Sequence, residues 1–203
     1  MSKGAVMREG YKKTELGWIP EDWEVKRLGE CINIEYGKAQ SILNSGDYPI
    51  IGTSGICGYG DQFLFDGDSI VIGRKGTIDK PFFITDKFWV IDTAFYISWF
   101  EACLSVFIFY SLNQVNWKLY NEASGVPSLN RETIKSIKIP LPPLAEQKKI
   151  AAILSTWDEA IEKLNSYIEA KKRLKKALMQ RLLTGKQRFK EFIVKEGYKK
   201  IGN

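Results

Sequence analysis

The segment IPLPPLAEQKKIA, residues 139–151, separates two parts of the chain that differ in pattern. Prolines stand at positions 140, 142 and 143, and no proline or glycine follows until Gly185. Proline suits the first turn of a helix because the N–H group that it lacks has no partner there, and Glu146 adds a negative charge that the helix dipole favours. The segment therefore predicts a domain boundary after residue 141 and a long helix that starts at residue 142.

The predicted helix carries a heptad pattern. Its apolar residues alternate in steps of four and three, which places them on one stripe: Ile150, Leu154, Trp157, Ile161, Leu164, Ile168, Leu178 and Leu182. Lys171 and Lys175 interrupt the stripe, and Thr184-Gly185 is a typical helix end. A helix over residues 142–185 has about 40 residues and a length of about 60 Å. The apolar stripe has to pack against another surface. This surface is either the chain's own globular domain or, as we expect, a helix of a second copy or of another protein.

Residues 1–141 have a pattern typical of strands. Short apolar runs broken by glycine predict strands over residues 69–73, 82–84, 89–91 and 94–97. A more continuous apolar run over residues 102–113 predicts one buried helix. The expected fold class is α+β (mixed α/β), with a globular domain of about 140 residues followed by a long C-terminal coiled-coil helix.

The charge of the chain is distributed unevenly. The net charge is +6, yet residues 142–203 contain 15 Lys and Arg against 7 Asp and Glu, which leaves residues 1–141 with a net charge of −2. A positive excess favours a polyanionic partner, but here it lies in the C-terminal third. The run KKRLKK, residues 171–176, fits either phosphate binding or a solvated helix face.

Several functional classes are disfavoured by what the sequence lacks. Histidine is absent, which excludes Ser-His-Asp and Cys-His hydrolases. Cys31, Cys57 and Cys103 lie far apart, so we expect buried thiols and neither a disulfide framework nor a zinc site. No apolar run is long enough to span a membrane and the N-terminus has no apolar signal core, so a cytoplasmic location is expected.

Motifs for nucleotide or DNA chemistry are also missing. Leu141-Pro142-Pro143-Leu144 lacks the acidic or amide residue and the aromatic residue of a DNA methyltransferase turn, and no P-loop of the form GxxxxGK[ST] occurs. Glu24-Val25-Lys26 has the local spacing of a metal-dependent nuclease, but no acidic residue precedes it at a predicted strand end. We therefore predict no enzyme, no catalytic residue, no metal and no cofactor, with a nuclease as a remaining alternative.

A short repeat stands near both ends of the chain. The sequence EGYKK occurs at residues 9–13 and again at residues 196–200. This placement indicates a repeat boundary, so residues 186–203 are interpreted as a tail that begins a truncated second repeat.

Three loops of the globular domain carry residues suited to contact with DNA. The stretch GTSGICGYG, residues 52–60, combines close backbone approach with small hydroxyl donors, and Arg74-Lys75-Gly76-Thr77 places a bidentate donor after a predicted strand. Residues 124–131 are rich in small donors. Each stretch also fits an ordinary turn or a solvated hairpin end.

Six stretches resemble one protein family, the specificity subunits of type I restriction-modification systems. The resemblance covers nearly the whole chain, and its most specific part is the proline-to-helix segment. The stretches are GWIPEDWEVKRLGE (17–30), GRKG (73–76), DTAFY (92–96), SGVPSLN (124–130), IPLPPLAEQKKIA (139–151) and LLTGK (182–186).

The resemblance implies a DNA-recognition subunit that is not an enzyme. In this family each recognition domain binds one half of a split DNA sequence, and spacer helices pair antiparallel to hold two domains apart. Modification subunits supply adenine methylation from S-adenosylmethionine, and a translocase-nuclease subunit adds cleavage. The implied partners are double-stranded DNA, modification subunits and a restriction subunit, with S-adenosylmethionine on the modification subunit alone.

A full family member has two recognition domains and two spacer helices, whereas this chain has one of each. We therefore expect two copies to pair through their helices and to bind a palindromic split site. The alternative is a regulatory half-subunit that dimerises without binding DNA. The predicted DNA contacts are polar residues of loops: Lys38, Gln40, Thr53, Ser54, Tyr59, Arg74, Lys75, Thr77, Ser128, Asn130 and Arg131.

Overall fold

The computed structural model describes residues 9–193, which form the expected combination of sheets and a long C-terminal helix. The strands are β1 Tyr11–Thr14, β2 Gly17–Pro20, β3 Glu24–Arg27, β4 Ile32–Tyr36, β5 Ser45–Gly52, β6 Gly55–Gly60, β7 Phe65–Asp66, β8 Ser69–Gly73, β9 Phe82–Ile84, β10 Lys87–Val90, β11 Ala94–Phe100 and β12 Lys138–Leu141. The α-helices are α1 Ser105–Asn113, α2 Arg131–Ser136 and α3 Leu144–Leu183. The chain divides into two compact units, the first ending at Leu154 and the second starting at Ser155.

The first unit is built around a sheet of order β4-β11-β8-β9 in which neighbouring strands are antiparallel. Successive side chains of a strand point to opposite faces, and both faces of this sheet are buried. On β8, Ile70 and Ile72 enter one core while Val71 enters a second. On β11, Phe95 and Ile97 enter the first core, and Tyr96 enters the second. Burial on both sides explains why Ile70, Val71 and Ile72 of β8 are apolar in succession, with no polar alternation.

The first core joins this sheet to the helices, and the second joins it to another sheet. Phe107, Ile108 and Leu112 of α1 and Ile134 of α2 belong to the first core. The other sheet has the order β6-β5-β10-β7, in which β10 is parallel to β5 and antiparallel to the other neighbour, β7. The second core includes Phe88 from β10. The two sheets therefore share one layer of side chains.

The proline-rich segment is itself a strand. Pro140 lies in β12, which pairs with β3 alone, opposite Val25. A proline lacks the N–H group that a central strand donates, so a two-stranded ribbon can accept it where a wider sheet cannot. The composition change at residue 139 thus marks the last strand of the first unit.

The start of α3 is buried within the first unit. Gln147 is 1% exposed, its Nε2 donates to Pro142 O at 2.8 Å, and its Oε1 accepts from Leu104 N at 2.9 Å. Trp23 Nε1 donates to Glu146 Oε2 at 2.9 Å. Ala151 is buried one turn after Gln147. These contacts fix the first turns of α3 against α1 and the loop before β3.

The second unit contains the rest of α3, and from residue 156 to residue 193 every side chain in it is exposed. Helix α3 has 40 residues, which confirms the predicted length, and it ends two residues before Gly185, whose φ is 71°. Gly185 N donates to Leu182 O at 3.2 Å, so the left-handed glycine closes the helix as the sequence predicts.

The predicted elements are confirmed in type, with some changes of bounds. Strands 69–73 and 82–84 are exact. The strand predicted at 89–91 lies at Lys87–Val90, the one predicted at 94–97 extends to Phe100, and the helix predicted at 102–113 begins at Ser105. The strands before residue 69 were not predicted individually.

Two sequence-based interpretations need comment. The expectation of buried thiols is wrong for Cys57, which is exposed; Cys31 is buried and Cys103 is half-buried, donating to Cys31 O at 3.3 Å. The second EGYKK copy, at residues 196–200, lies outside the described residues. Among residues 9–193, no helix is both long and apolar enough to cross a membrane.

Candidate nucleic-acid interface

Three separate parts of the first unit meet at Tyr36, the last residue of β4. Its ring is 45% exposed and packs edge-on against Phe95, with ring centroids 5.1 Å apart. The guanidinium carbons of Arg74 and Arg131 each lie 5.3 Å from the centroid of the Tyr36 ring. We call Tyr36, Arg74 and Arg131 the arginine–tyrosine cluster. Residues 38 positions apart along the chain and more are thereby brought to one surface.

The loop that carries Arg74 is held by backbone hydrogen bonds on both sides. Arg74 N and Lys75 N both donate to Thr93 O, at 2.8 and 3.1 Å, and Arg74 Nη1 donates to Asp92 O at 3.3 Å. On the other side, Gly76 N donates to Pro127 O at 2.9 Å. The loop therefore has a fixed position although Lys75 at its tip is exposed.

Two glycines of this loop are required by its shape. A Cβ at Gly73 would overlap the carbonyl oxygen of Thr77, so the chain can fold back this tightly only without a side chain. Gly76 has a φ of 92°, a conformation that L-residues with a side chain rarely adopt. The motif Gly73-Arg74-Lys75-Gly76 is thus a compact hairpin end that presents two cations.

The loop after residue 124 lies beside this hairpin end. Leu129 N donates to Arg74 O at 2.9 Å, and Lys75 and Ser128 form an isolated antiparallel bridge. Asn130 is the N-cap of α2, where its Oδ1 accepts from Glu132 N at 2.9 Å. Arg131 is the first residue of that helix, and its Nε also contacts Glu132 Oε1 at 3.3 Å. The cap therefore determines where the Arg131 side chain starts.

Most of the predicted DNA contacts lie together. Lys38 lies two residues after Tyr36 of the cluster. Its N–H donates to Val90 O at 2.8 Å, and its carbonyl accepts from Trp89 Nε1 at 3.0 Å. The turn between β5 and β6 contains Thr53 and Ser54. Thr53 Oγ1 would lie 3.9 Å from a Cβ atom added to Gly76, so this turn is next to the hairpin end. The residues that the structure gathers are Lys38, Thr53, Ser54, Arg74, Lys75, Thr77, Ser128, Asn130 and Arg131.

Gln40 and Tyr59 are placed differently. Gln40 lies in a 3-10 turn, and Cys57 Sγ approaches its Oε1 at 4.0 Å. Tyr59 pairs with Pro49, toward the end of the β5–β6 hairpin opposite to its turn. Both residues are exposed, and within residues 9–193 neither side chain contacts the arginine–tyrosine cluster.

Tyr36 was missed by the sequence analysis. Its only signal is a tyrosine directly before Gly37-Lys38, at the end of a strand that was not predicted. The local concentration of cations was also hidden, because the net charge of −2 for residues 1–141 averages Lys38, Arg74, Lys75 and Arg131 with acidic residues elsewhere.

The second unit offers a different kind of surface. We call one stripe of α3 the seam. It begins with Ile150 and Leu154 of the first unit and continues in the second unit with Trp157, Ile161, Leu164, Ile168, Lys171, Lys175, Leu178 and Leu182. Its apolar members from Leu154 onward are between 37% and 65% exposed. Ile150 packs partly buried against the first core, so the open part of the seam starts after it. A parallel stripe at heptad spacing, Ile153, Ala160, Tyr167 and Leu174, widens the apolar face.

A match to one family model covers most of the first unit and the beginning of the second. Residues 20–172 match the model described as "Type I restriction modification DNA specificity domain". The chain is 30% identical over 204 residues to the type I restriction enzyme MjaVIII specificity subunit of Methanocaldococcus jannaschii, covering 87% of this chain and 45% of that protein. The chain spans about half of the length of the curated relatives it matches.

Solved structures agree with the fold. The S subunit of a type I restriction-modification system from M. genitalium superposes with a TM-score of 0.66 at 18% identity, covering 78% of this chain and 45% of that one. A chain from a study of complex assembly and conformational transition of the type I R-M system gives a TM-score of 0.61 at 20% identity, covering 80% and 46%. At these identities the likeness establishes the fold alone.

Proposed function

The chain belongs to the family of type I restriction-modification DNA specificity domains, and on that basis we propose that it recognises one half of a two-part DNA site without catalysis of its own. The observation that carries the proposal is the arginine–tyrosine cluster, where two arginines from distant loops lie on one exposed ring. An arginine donates two parallel hydrogen bonds to guanine O6 and N7 or to a phosphate. Lys75 and Ser128 at the same surface add donors for the backbone.

The geometry of the cluster favours recognition over simple charge attraction. Both guanidinium groups are restrained by the ring, and Arg74 is further held by Asp92 O. A donor that is already ordered loses less entropy on binding than a free side chain does. The two ordered arginines, Arg74 on the hairpin end and Arg131 at the start of α2, are therefore suited to discriminate between bases.

We propose further that two copies pair through the seam of α3 in antiparallel orientation. When residues whose numbers sum to 332 are placed opposite one another, the seam forms complete layers: 150 with 182, 154 with 178, 157 with 175, 161 with 171, and 164 with 168. Lys175 then lies opposite Trp157, a ring suited to a cation–π contact. The two lysines that interrupt the stripe thus acquire partners in this register.

The charges of α3 support the same orientation. Residues 155–169 carry four acidic side chains and one lysine, a net charge of −3, whereas residues 170–183 carry six basic side chains and no acidic one. Antiparallel pairing brings each basic half against an acidic half, while parallel pairing would bring like charges together. A two-fold pair of this kind presents two recognition domains to a palindromic split site, separated by the helices.

The finer assignments of partner and location follow from the family. The relative from Methanocaldococcus jannaschii is the specificity subunit of a type I restriction enzyme. We propose that this chain likewise assembles with modification subunits, which hold S-adenosylmethionine, and with a restriction subunit. The stripe through Ile153, Tyr167 and Leu174 lies beside the seam and is available to such a partner. We propose that this complex acts on DNA in the cytoplasm.

Selection from a library of random duplexes tests the proposal. The purified chain should enrich an inverted repeat with an unspecified gap, and Arg74→Ala should abolish the enrichment while leaving the dimer intact. Arg27→Ala is the matched control, because Arg27 is an exposed arginine on β3. A stable dimer that enriches no sequence, alone or with modification subunits, would favour the regulatory half-subunit instead.

A further inference from the structure

An apolar groove of about 510 Å³ lies in the first unit between the end of α1, the β3–β12 region and the first turns of α3. Its walls include Trp23, Tyr110, Val115 and Leu119, and its edge is formed by Ile150 and Leu154. The last two residues belong to the seam, so the groove is continuous with the surface proposed for helix pairing. Leu119 is 77% exposed at this site.

A second apolar surface follows α3. Phe189 and Phe192 are each 61% exposed, and Ile193 is 55% exposed. They lie in and beside a short 3-10 turn at Lys190–Phe192, after the chain has turned at Gly185. We call Phe189, Phe192 and Ile193 the tail patch. Exposed aromatic side chains this close together are typical of a contact surface.

The antiparallel register connects these two surfaces. It places Leu182 of one copy opposite Ile150 of the other, which is the edge of the groove. The residues after Leu182 therefore reach the partner copy at the groove, and the first aromatic residue follows only seven positions later. The two-fold axis repeats the contact at the other end of the pair.

We propose that the groove receives the tail patch of a second copy of this chain. The proposal rests on the proposed function, because it requires the antiparallel pairing of α3. It extends that function by assigning a role to the residues that follow α3. Their docking adds one contact at each end of the pair to the contacts of the seam. The groove's walls are mostly apolar, with Asn113, Gln114 and Asn116 among its few polar side chains, and so they suit Phe189 and Phe192.

The first test measures self-association of the full chain. The double variant Phe189→Ser with Phe192→Ser should raise the dissociation constant of the dimer by at least about 100-fold. It removes the aromatic side chains from the contact at each end of the pair, and the loss of each contact at a buried site should weaken the dimer by about tenfold or more. Trp99→Ser, which removes an aromatic side chain that is 51% exposed on β11, is the control and should leave the constant within about threefold. Sedimentation across a dilution series gives the constants.

A second measurement detects the contact directly. Chains carrying Leu119→Cys are mixed with chains carrying Phe192→Cys, both in a Cys57→Ser background because the Cys57 thiol is exposed. A short thiol cross-linker should join the two chains only in the mixture. All substituted positions are exposed, so the monomer keeps its fold.

The outcomes separate this proposal from the pairing on which it rests. A wild-type chain that remains monomeric at all concentrations overturns the helix pairing and the docking together. A wild-type dimer that the double serine variant leaves unchanged, with no cross-link in the mixture, overturns the docking alone. Weaker association with a cross-link specific to the mixture supports it.

Discussion

Replacing Tyr36 with leucine tests whether the ring organises the two arginines for DNA binding. Leucine keeps an apolar side chain against Phe95 but has no aromatic face, so both cation–π contacts of 5.3 Å are lost while both positive charges remain. Tyr36→Phe keeps the face and removes only the hydroxyl group. The pair of variants therefore isolates the ring from the charge.

The expected magnitude follows from the number of contacts. A cation–π contact at an exposed site is worth about 0.5–1 kcal/mol, so two of them contribute about 1–2 kcal/mol to the order of the arginines. Without the ring, DNA binding has to supply that order, at a cost comparable with the about 0.5–1.5 kcal/mol for each immobilised side chain. We expect Tyr36→Leu to raise Kd by roughly 5- to 30-fold per recognition domain, and Tyr36→Phe to change it by less than about twofold.

Fluorescence anisotropy with the selected duplex and with a scrambled duplex, each at several salt concentrations, measures the effect. Tyr36→Leu should lower affinity for the selected duplex more than for the scrambled one, and it should leave the salt dependence unchanged because no phosphate contact is removed. Arg74→Ala should lose affinity as well, with a salt slope reduced by about one if Arg74 binds a phosphate and unchanged if it binds a base. Equal Kd values for Tyr36→Leu and the wild type on the selected duplex would refute the role of the ring.

Four further changes probe the rest of the molecule. Gln147→Leu should lower the free energy of unfolding by about 1–3 kcal/mol in a urea titration, because it leaves buried backbone groups without partners; an unchanged midpoint would contradict the role of this side chain. Lys175→Glu should weaken the dimer on sedimentation, because it removes the cation that the antiparallel register places opposite Trp157, and an unchanged dissociation constant would contradict that register. Gly73→Ala should cost about 1–3 kcal/mol and abolish DNA binding, measured by thermal unfolding and anisotropy, since a Cβ has no space there. One equivalent of a maleimide should modify Cys57 first, as peptide mass analysis would reveal, because it is the exposed thiol of the three.

The sequence predicts the long helix better than it predicts the β-strands of the first half. Helix α3 is predicted by a heptad pattern over many turns, which is a local signal that needs no tertiary information. Strand β8 was found because burial on both faces gives it three apolar residues in succession, Ile70, Val71 and Ile72. Strand β6 contains three glycines and exposed residues, and nothing in its composition distinguishes it from a loop.

The candidate site was predicted in part for the same reason. The loops with Arg74 and Ser128 could be proposed because glycine, proline and small polar residues mark turns. That Arg74 and Arg131 share one tyrosine depends on the order β4-β11-β8, which brings together strand ends far apart in sequence. Local patterns carry no information about that order, and so Tyr36 could not be identified.

The doubly buried sheet has a consequence for engineering. Strands β8 and β11 place side chains in two cores at once, so most changes within them disturb packing on one side or the other. The hairpin end between Gly73 and Ile78 lies outside both cores except at its two ends, where Gly73 and Ile78 are buried. Arg74, Lys75 and Thr77 can therefore be substituted with little effect on either core, provided that Gly76 keeps its φ of 92°.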